Sequence, residues 1–215
     1  MVTRLTVLSD PNNWINQYLP VWLPSLKKYA GDIYWIHDAN DLPEGDVAFF
    51  LGCEQIVTSD LLSRNRNNLV VHASDLPKGK GWSPLTWQIL EGKNEIPVVL
   101  FEAAEKVDAG PVYCRRTMRF GGLELIGELR NALARTTFEL CEEFLEGYPG
   151  IVHFGIRQQG EESFYPRRTP ADSRINPDRS LREQFQLLRV ADNERYPCYF
   201  ELDGETFVIK VEKRR

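Results

Sequence analysis

The chain reads as an α/β protein: an open, twisted, mostly parallel sheet followed by a small C-terminal module of one helix and a β-hairpin. Three observations predict this. Short apolar runs rich in Val, Ile, Leu and Phe recur at 4–9, 32–37, 46–52, 68–73 and 96–103, and several are apolar on both faces, as doubly covered strands are. Segments of helical character lie between them. Beyond residue 180, a capping-box pattern and an Asp-Gly turn announce the terminal helix and hairpin.

Taken in order, the first run ends at Ser9 and meets Asp10-Pro11. Asp10 or Asn12 can cap the helix expected over 12–30, in which Pro20 and Pro24 predict a break or kink. Further helices are expected over 58–65 and over 83–91, where Pro84 suits the first turn. The segment 123–146 carries Leu125, Leu129, Leu133 and Leu140 at helical spacing and stops at Gly147-Tyr148-Pro149-Gly150. Residues 156–180 form an irregular connection bearing Arg and Pro. Ser180-Leu181-Arg182-Glu183 then opens a helix with Leu181, Phe185 and Leu188 on one side. The hairpin turns at Asp203-Gly204, with Phe207, Ile209 and Val211 alternating against polar neighbours. The expected division is a catalytic core over 1–150 and an extension over 151–215.

With 42% hydrophobic and 27% charged residues, the 215-residue chain has an ordinary globular composition. No apolar run approaches the roughly 18–20 residues that span a bilayer, and the first residues carry no small-residue cleavage site. A cytoplasmic protein with no membrane partner is expected. The net charge of -5 argues against a nucleic-acid partner held by counterion release. That charge is uneven: residues 151–215 hold 12 Lys/Arg against 11 Asp/Glu, so an anionic ligand would meet the tail more readily. Cys53, Cys114, Cys141 and Cys198 show no paired spacing, so reduced thiols and no metal site are expected.

Ligands of open α/β sheets gather at the carboxyl ends of the strands. Ser9-Asp10, Gly52-Cys53, His72 and the 104–110 turn are expected at such ends. His72 leaves its strand for Ser74-Asp75-Leu76-Pro77, and Asp108 heads an Asp-Ala-Gly turn 36 residues later. An imidazole beside a carboxylate can move a proton on and off an attacking amine. Lys78-Gly79-Lys80-Gly81-Trp82-Ser83-Pro84 lacks the spacing of a P-loop or dinucleotide fingerprint and reads as a loop that lets a flat ligand approach the backbone. Trp82 and Trp87 alone would more often be core residues. Arg157, Arg167, Arg168 and Arg174, interleaved with Phe164 and Tyr165, can clamp a diphosphate and stack on a base. The 9–14 turn, with Asp10, Asn12 and Trp14, can touch a sugar, although a plain helix entry explains it nearly as well. His37 and His153 are isolated.

His-Ala-Ser-Asp-Leu-Pro from His72, the Gly-bearing loop with Pro84, and Val-Asp-Ala-Gly around Asp108 resemble the formyltransferases that use 10-formyltetrahydrofolate. Their pattern is Asn-x-His-x-Ser-Leu-Leu-Pro followed by a later Asp-x-Gly. The similarity covers roughly residues 45–115. Arg167-Arg168-Thr169-Pro170-Ala171-Asp172 is similar to a stretch of sugar-nucleotide N-formyltransferases. The resemblance implies a Rossmann-like formyltransferase core. It also implies a formyl transfer from 10-formyltetrahydrofolate, without a metal, to the amine of a nucleotide-linked amino sugar. The small size suggests UDP-4-amino-4,6-dideoxy-N-acetyl-altrosamine as the acceptor.

His72 and Asp108 fall on the family's catalytic pair. Folate would sit among Gly52, Leu76, Lys80, Gly81, Trp82 and Asp108. The acceptor would meet Asp10, Asn12, Trp14, Asp75, Tyr165, Arg167 and Arg168. Two positions depart from the pattern: Val70 replaces the family's asparagine, and Asp75 replaces a leucine. Val70 keeps open a non-catalytic folate or nucleotide-sugar binding protein. Glycinamide ribonucleotide is another possible acceptor, whereas methionyl-tRNA needs a larger basic C-terminal domain than this tail. A homodimer through an edge strand or the hairpin is compatible with the sequence.

Overall fold

The computed structural model describes residues 2–55 and 57–214. Its main sheet contains β1 (Val2–Leu8), β2 (Ala30–Ile36), β3 (Gly45–Phe50), β4 (Asn65–His72), β6 (Glu95–Glu102) and β7 (Val112–Arg119). A short β5 (Lys80–Gly81) lies apart from it. The order is β2-β1-β3-β4-β6-β7. Pairing is parallel from β2 through β4, and β6 runs antiparallel to both its neighbours. All five apolar runs are strands. β7 lies outside these runs; its centre, Arg115-Arg116-Thr117, is exposed and polar, as suits an edge strand.

The sheet's two faces differ. One carries Leu5, Val7, Phe49, Leu69, Val98 and Leu100 and packs on α4 (Ile126–Gly147) through Leu129, Leu140, Cys141 and Phe144. Phe144 meets Phe49 edge-on at 6.5 Å. Each such fully buried side chain stabilises the fold by about 1.5–3 kcal/mol. The other face carries Leu8, Phe50, Val70, Val99 and Phe101 in smaller clusters and leaves room for a cleft.

The helix expected over 12–30 is divided. A 3-10 turn at Trp14–Gln17 leads to α1 (Leu19–Trp22) and a second 3-10 stretch at Leu23–Lys28. Pro20 and Pro24 each lack an N–H and stand in the first turn of a new element. The apolar stripe of Ile15, Leu19, Trp22 and Leu26 still reaches the core, where Trp22 stacks on Phe138 at 4.3 Å. The helices α2 (Ser59–Leu62) and α3 (Pro84–Leu90) fall inside their expected ranges.

In the tail, the Ser180–Glu183 capping bonds form, but the helix, α5 (Phe185–Arg189), begins after them. Leu181 is therefore exposed rather than packed beside Phe185 and Leu188. The hairpin of β9 (Cys198–Leu202) and β10 (Glu205–Ile209) turns at Asp203-Gly204 as expected. The tail is fastened to the core at several points. A two-residue β8 (Phe164–Tyr165) pairs with β5. Val112 and Ile156 exchange two backbone hydrogen bonds of 2.8 Å. The fully buried Arg189 reaches Glu124 and Asn94. Among the described residues, no helix is long and apolar enough to cross a membrane.

Candidate active site

The antiparallel course of β6 corrects one expectation. Glu102 pairs with Leu69, three residues before His72, so the turn after β6 leaves the sheet at the other end from His72. The turn is rooted there by the Ala103 N–H, which donates to Asn68 O at 2.6 Å. Residues 104–110 then return to the cleft-side face and carry Asp108 to the imidazole. His72, Val99 and Arg115 form one row across β4, β6 and β7, so all three side chains lie on the same face of the sheet.

His72 Nε2 donates to the Gly79 carbonyl at 2.8 Å and lies 3.9 Å from Asp108 Oδ2. A carbonyl only accepts, so that acceptor fixes the Nε2–H tautomer of the neutral ring. The two side chains are nearly enclosed, with 9% and 13% of their surfaces exposed. Asp108 takes a left-handed backbone conformation, φ 51°, which a short polar side chain tolerates. Its Oδ2 accepts the Gly81 N–H at 2.9 Å. Gln158 Nε2 donates to the carbonyls of Asp108 and Gly110, each at 2.9 Å. The loop thus holds Asp108 beside the ring before any ligand arrives.

Glu102 anchors the loop root. Its carboxylate accepts from the Asn68 N–H at 2.6 Å, Asn67 Nδ2 at 2.9 Å and the Tyr113 hydroxyl at 2.9 Å. Burial nevertheless pushes its pKa above the ordinary carboxylate range, against those three donors. Gly110 is required by close approach: a Cβ there would stand 1.8 Å from Glu102 O. Gly110→Ala is expected to dislodge the loop, costing about 1–3 kcal/mol and nearly all turnover. Thermal unfolding and a rate assay check this, and an unchanged rate would sink it. Gly110 belongs to the Asp-Ala-Gly turn expected from sequence, whereas Gln158 and Glu102 were not identified there, because their partners lie far along the chain or are backbone atoms.

The residues expected to bind folate and acceptor are distributed unevenly. Gly81 joins the His72–Asp108 centre, and Leu76 is buried against Val99, Phe101 and Val112 on its floor. Trp82 lies under the Arg167 guanidinium at 4.7 Å, and Arg167 also pairs with Glu54 at 3.2 Å. Asp10 accepts from the Glu54 N–H at 2.8 Å and from Gln55 Nε2 at 2.7 Å, tying the turn after β1 to the loop after β3. Gly52 is exposed in that loop.

Other side chains engage the protein itself. Lys80 is buried, with Nζ 2.8 Å from Glu162. Tyr165 stacks on Trp87 and donates to Glu91. Arg168 donates to Asp172 O and Ser173 Oγ. The ring of Trp14 has the Arg130 guanidinium 5.8 Å from its centroid, and Asn12 O accepts from Arg195. Asp75 pairs with Arg115. These two help to line a cavity of about 520 Å³ with Leu76, Val112, Arg157 and Gln158.

On the β3 side of His72, the half-buried Cys53, Val57, Leu61, Leu62, Val70 and Ala103 pack against the cluster of Leu8 and Phe50 and form an apolar corner. Among the described residues, no group of three or more His, Cys, Asp and Glu is placed to hold a metal ion.

Residues 36–138 match the Formyl transferase family model. A methionyl-tRNA formyltransferase from Cutibacterium acnes is 30% identical over 174 residues, which cover 80% of this chain and 55% of that relative. The chain therefore spans little more than half of that enzyme's length. A sugar N-formyltransferase from Shewanella sp. FDAARGOS_354 superposes with a TM-score of 0.72 at 14% identity, covering 99% of this chain and 98% of that one. HypX from Aquifex aeolicus in complex with tetrahydrofolic acid superposes with a TM-score of 0.73 at 18% identity, covering 94% of this chain and 36% of HypX. The likeness to the formyl transferase family thus lies in residues 36–138, and the fold around them is the one that these solved structures share.

Proposed function

We propose that this chain moves the formyl group of 10-formyltetrahydrofolate onto the amine of a nucleotide-linked amino sugar. The observation that carries the reading is the enclosed His72–Asp108 pair, held in place beside an apolar corner inside the stretch that matches the formyl transferase family. As the amine attacks the formyl carbon, it becomes acidic. The His72–Asp108 pair takes up one proton from it and returns that proton to the departing folate nitrogen.

The pterin fits the corner between Cys53, Val70 and Ala103. The likeness to HypX, which was solved with tetrahydrofolic acid, supports a folate donor. At the mouth, Trp82 and Arg167 offer a stacking ring and a guanidinium fork to a nucleoside diphosphate, with Asp10, Asn12, Asp75, Tyr165 and Arg168 as further contacts. Lys80 and Gly52 would touch the folate. A sugar nucleotide is favoured over methionyl-tRNA because residues 151–215 are nearly neutral, with 12 Lys/Arg against 11 Asp/Glu. The candidate acceptor is UDP-4-amino-4,6-dideoxy-N-acetyl-altrosamine. We place the enzyme in the cytoplasm, with the exposed hairpin or the sheet edge available to join two copies.

Val70 supports a second reading, in which the protein binds folate or a nucleotide sugar without turnover, because its side chain offers no hydrogen bond to the reacting group. One experiment separates the two. The protein is incubated with 10-formyltetrahydrofolate and a panel of amino-sugar nucleotides, and tetrahydrofolate release is followed. Release with one acceptor is expected; binding without release would establish the non-catalytic reading.

A further inference from the structure

Acyl transfer passes through an adduct whose carbonyl oxygen bears negative charge, and a donor aimed at that oxygen is worth about 10²–10³ in rate. The centre described above has no evident donor to spare. His72 Nε2 donates to Gly79 O, and the Gly81 N–H is committed to Asp108. Asp108 as a carboxylate can only accept. Val70, two residues before His72 on the same face, ends in methyl groups.

A carboxamide approaches the same rim from the β1 side. Asn13 Oδ1 accepts the Ile15 N–H at 3.1 Å and caps the short Trp14–Gln17 turn. That bond assigns the two ends of the amide, and among the described residues its Nδ2 has no hydrogen-bond partner. The carboxamide lies face-on to Gly52. A Cβ at Gly52 would meet Asn13 Cγ, Oδ1 and Nδ2 at 2.4, 2.5 and 2.6 Å. Gly52, at φ +65°, is thus the position where any side chain would displace this amide. Phe50 pairs with Val70 as the last register pair of the neighbouring parallel strands β3 and β4, and Gly52 and His72 each follow two residues further on. The support is rigid. The Asp10 N–H donates to Gly52 O at 3.4 Å, and the Asp10 carboxylate binds Glu54 and Gln55.

We infer that Asn13 Nδ2 is the hydrogen-bond donor to the formyl oxygen during transfer, from the opposite side of the cleft to Asp108. The inference rests on the formyl-transfer reading. The amine lone pair forms the new C–N bond while the carbonyl π pair moves onto oxygen, where Nδ2 meets it. Collapse restores the C=O, breaks the bond to the folate nitrogen and leaves the amine's proton on that nitrogen. A donor preset on a capped turn has no reorganisation to undergo as the charge appears.

Asn13→Ser and Asn13→Asp both keep a capping oxygen and both lose the Nδ2 donor. Each is expected to lower kcat by about 10²–10³-fold with KM and melting temperature little changed. Val70→Asn in the Asn13→Ser background is expected to recover at least about tenfold of that loss by supplying a carboxamide from β4. A second measurement needs no acceptor. A 10-formyl-dideazafolate analogue, whose aldehyde hydrates to a gem-diol, mimics the tetrahedral adduct. Both variants should bind it about 10–100-fold more weakly than the wild type does, within the worth of such a donor, while tetrahydrofolate affinity is unchanged. Equal affinity for the gem-diol in wild type and variants would overturn the inference and leave formyl transfer standing. An equal loss for both ligands would show that Asn13 only shapes the loop, and overturns it too. A wild type that binds neither ligand would remove the formyl-transfer reading itself.

Discussion

Replacing His72 by asparagine is expected to lower kcat by about 10²–10⁴-fold, the usual share of a positioned acid–base group, while folate affinity stays within a few-fold. Asparagine is polar and uncharged, but its NH₂ matches the position of Nδ1 and stops short of the Gly79 carbonyl that now holds Nε2 at 2.8 Å. His72→Gln, whose longer carboxamide can reach that carbonyl, is the control that keeps the wall of the cleft and the partner of the 78–82 loop. What asparagine cannot do is take up and return a proton. Single-turnover kinetics on the preferred acceptor, together with a binding titration of tetrahydrofolate, separate the two contributions. Undiminished turnover would defeat the assignment of His72. Loss of folate binding in parallel with rate would mean that the ring shapes the pocket instead of moving protons.

Arg189→Met is expected to destabilise the fold by about 3 kcal/mol, at the low end of what breaking a buried ion pair costs. The guanidinium has no exposed surface. It donates to Glu124 O at 3.2 Å, Glu124 Oε2 at 3.1 Å, Asn94 Oδ1 at 2.9 Å and Gln186 Oε1 at 2.8 Å. Methionine fills much of the volume but leaves all four acceptors short of a donor. The Glu124 side chain is 26% exposed, and it also accepts the N–H groups of Gly121 and Gly122, so water and backbone recover part of the loss. The melting temperature should fall by roughly 6–12 °C for a chain of this size. The same bonds clamp α5 to the turns at Asn94 and Glu124, so the tail should become more open to proteolysis than the core. A melting temperature within about 1 °C of the wild type would show that packing alone holds the tail.

Much of the fold was legible because its signals are local. Strands buried on both faces must be continuously apolar, and the runs ending at Ser9, Gly52, His72 and Ala103 are. The hairpin at Asp203-Gly204 and the capping bonds of Ser180 rest on residues within a few positions of one another. β7 was not legible, because an edge strand that places Arg115, Arg116 and Thr117 in solvent shows no periodic apolar pattern. The helix expected over 12–30 was half legible: its stripe was visible, but two prolines determine where each turn restarts.

By itself, the sequence determined the α/β class and the strand segments, and it singled out an imidazole and a carboxylate as the candidate pair. Only the tertiary structure decided how they meet, since β6 runs antiparallel and the loop after it must fold back to bring Asp108 to His72. It also decided which of the expected ligand contacts are free for a ligand and which, like Lys80 with Glu162 and Tyr165 with Glu91, are bound to the protein. The physical reason is range. Periodicity and turn chemistry act over a few residues, whereas the partner of a charged or aromatic side chain is set by whichever distant segment packs against it.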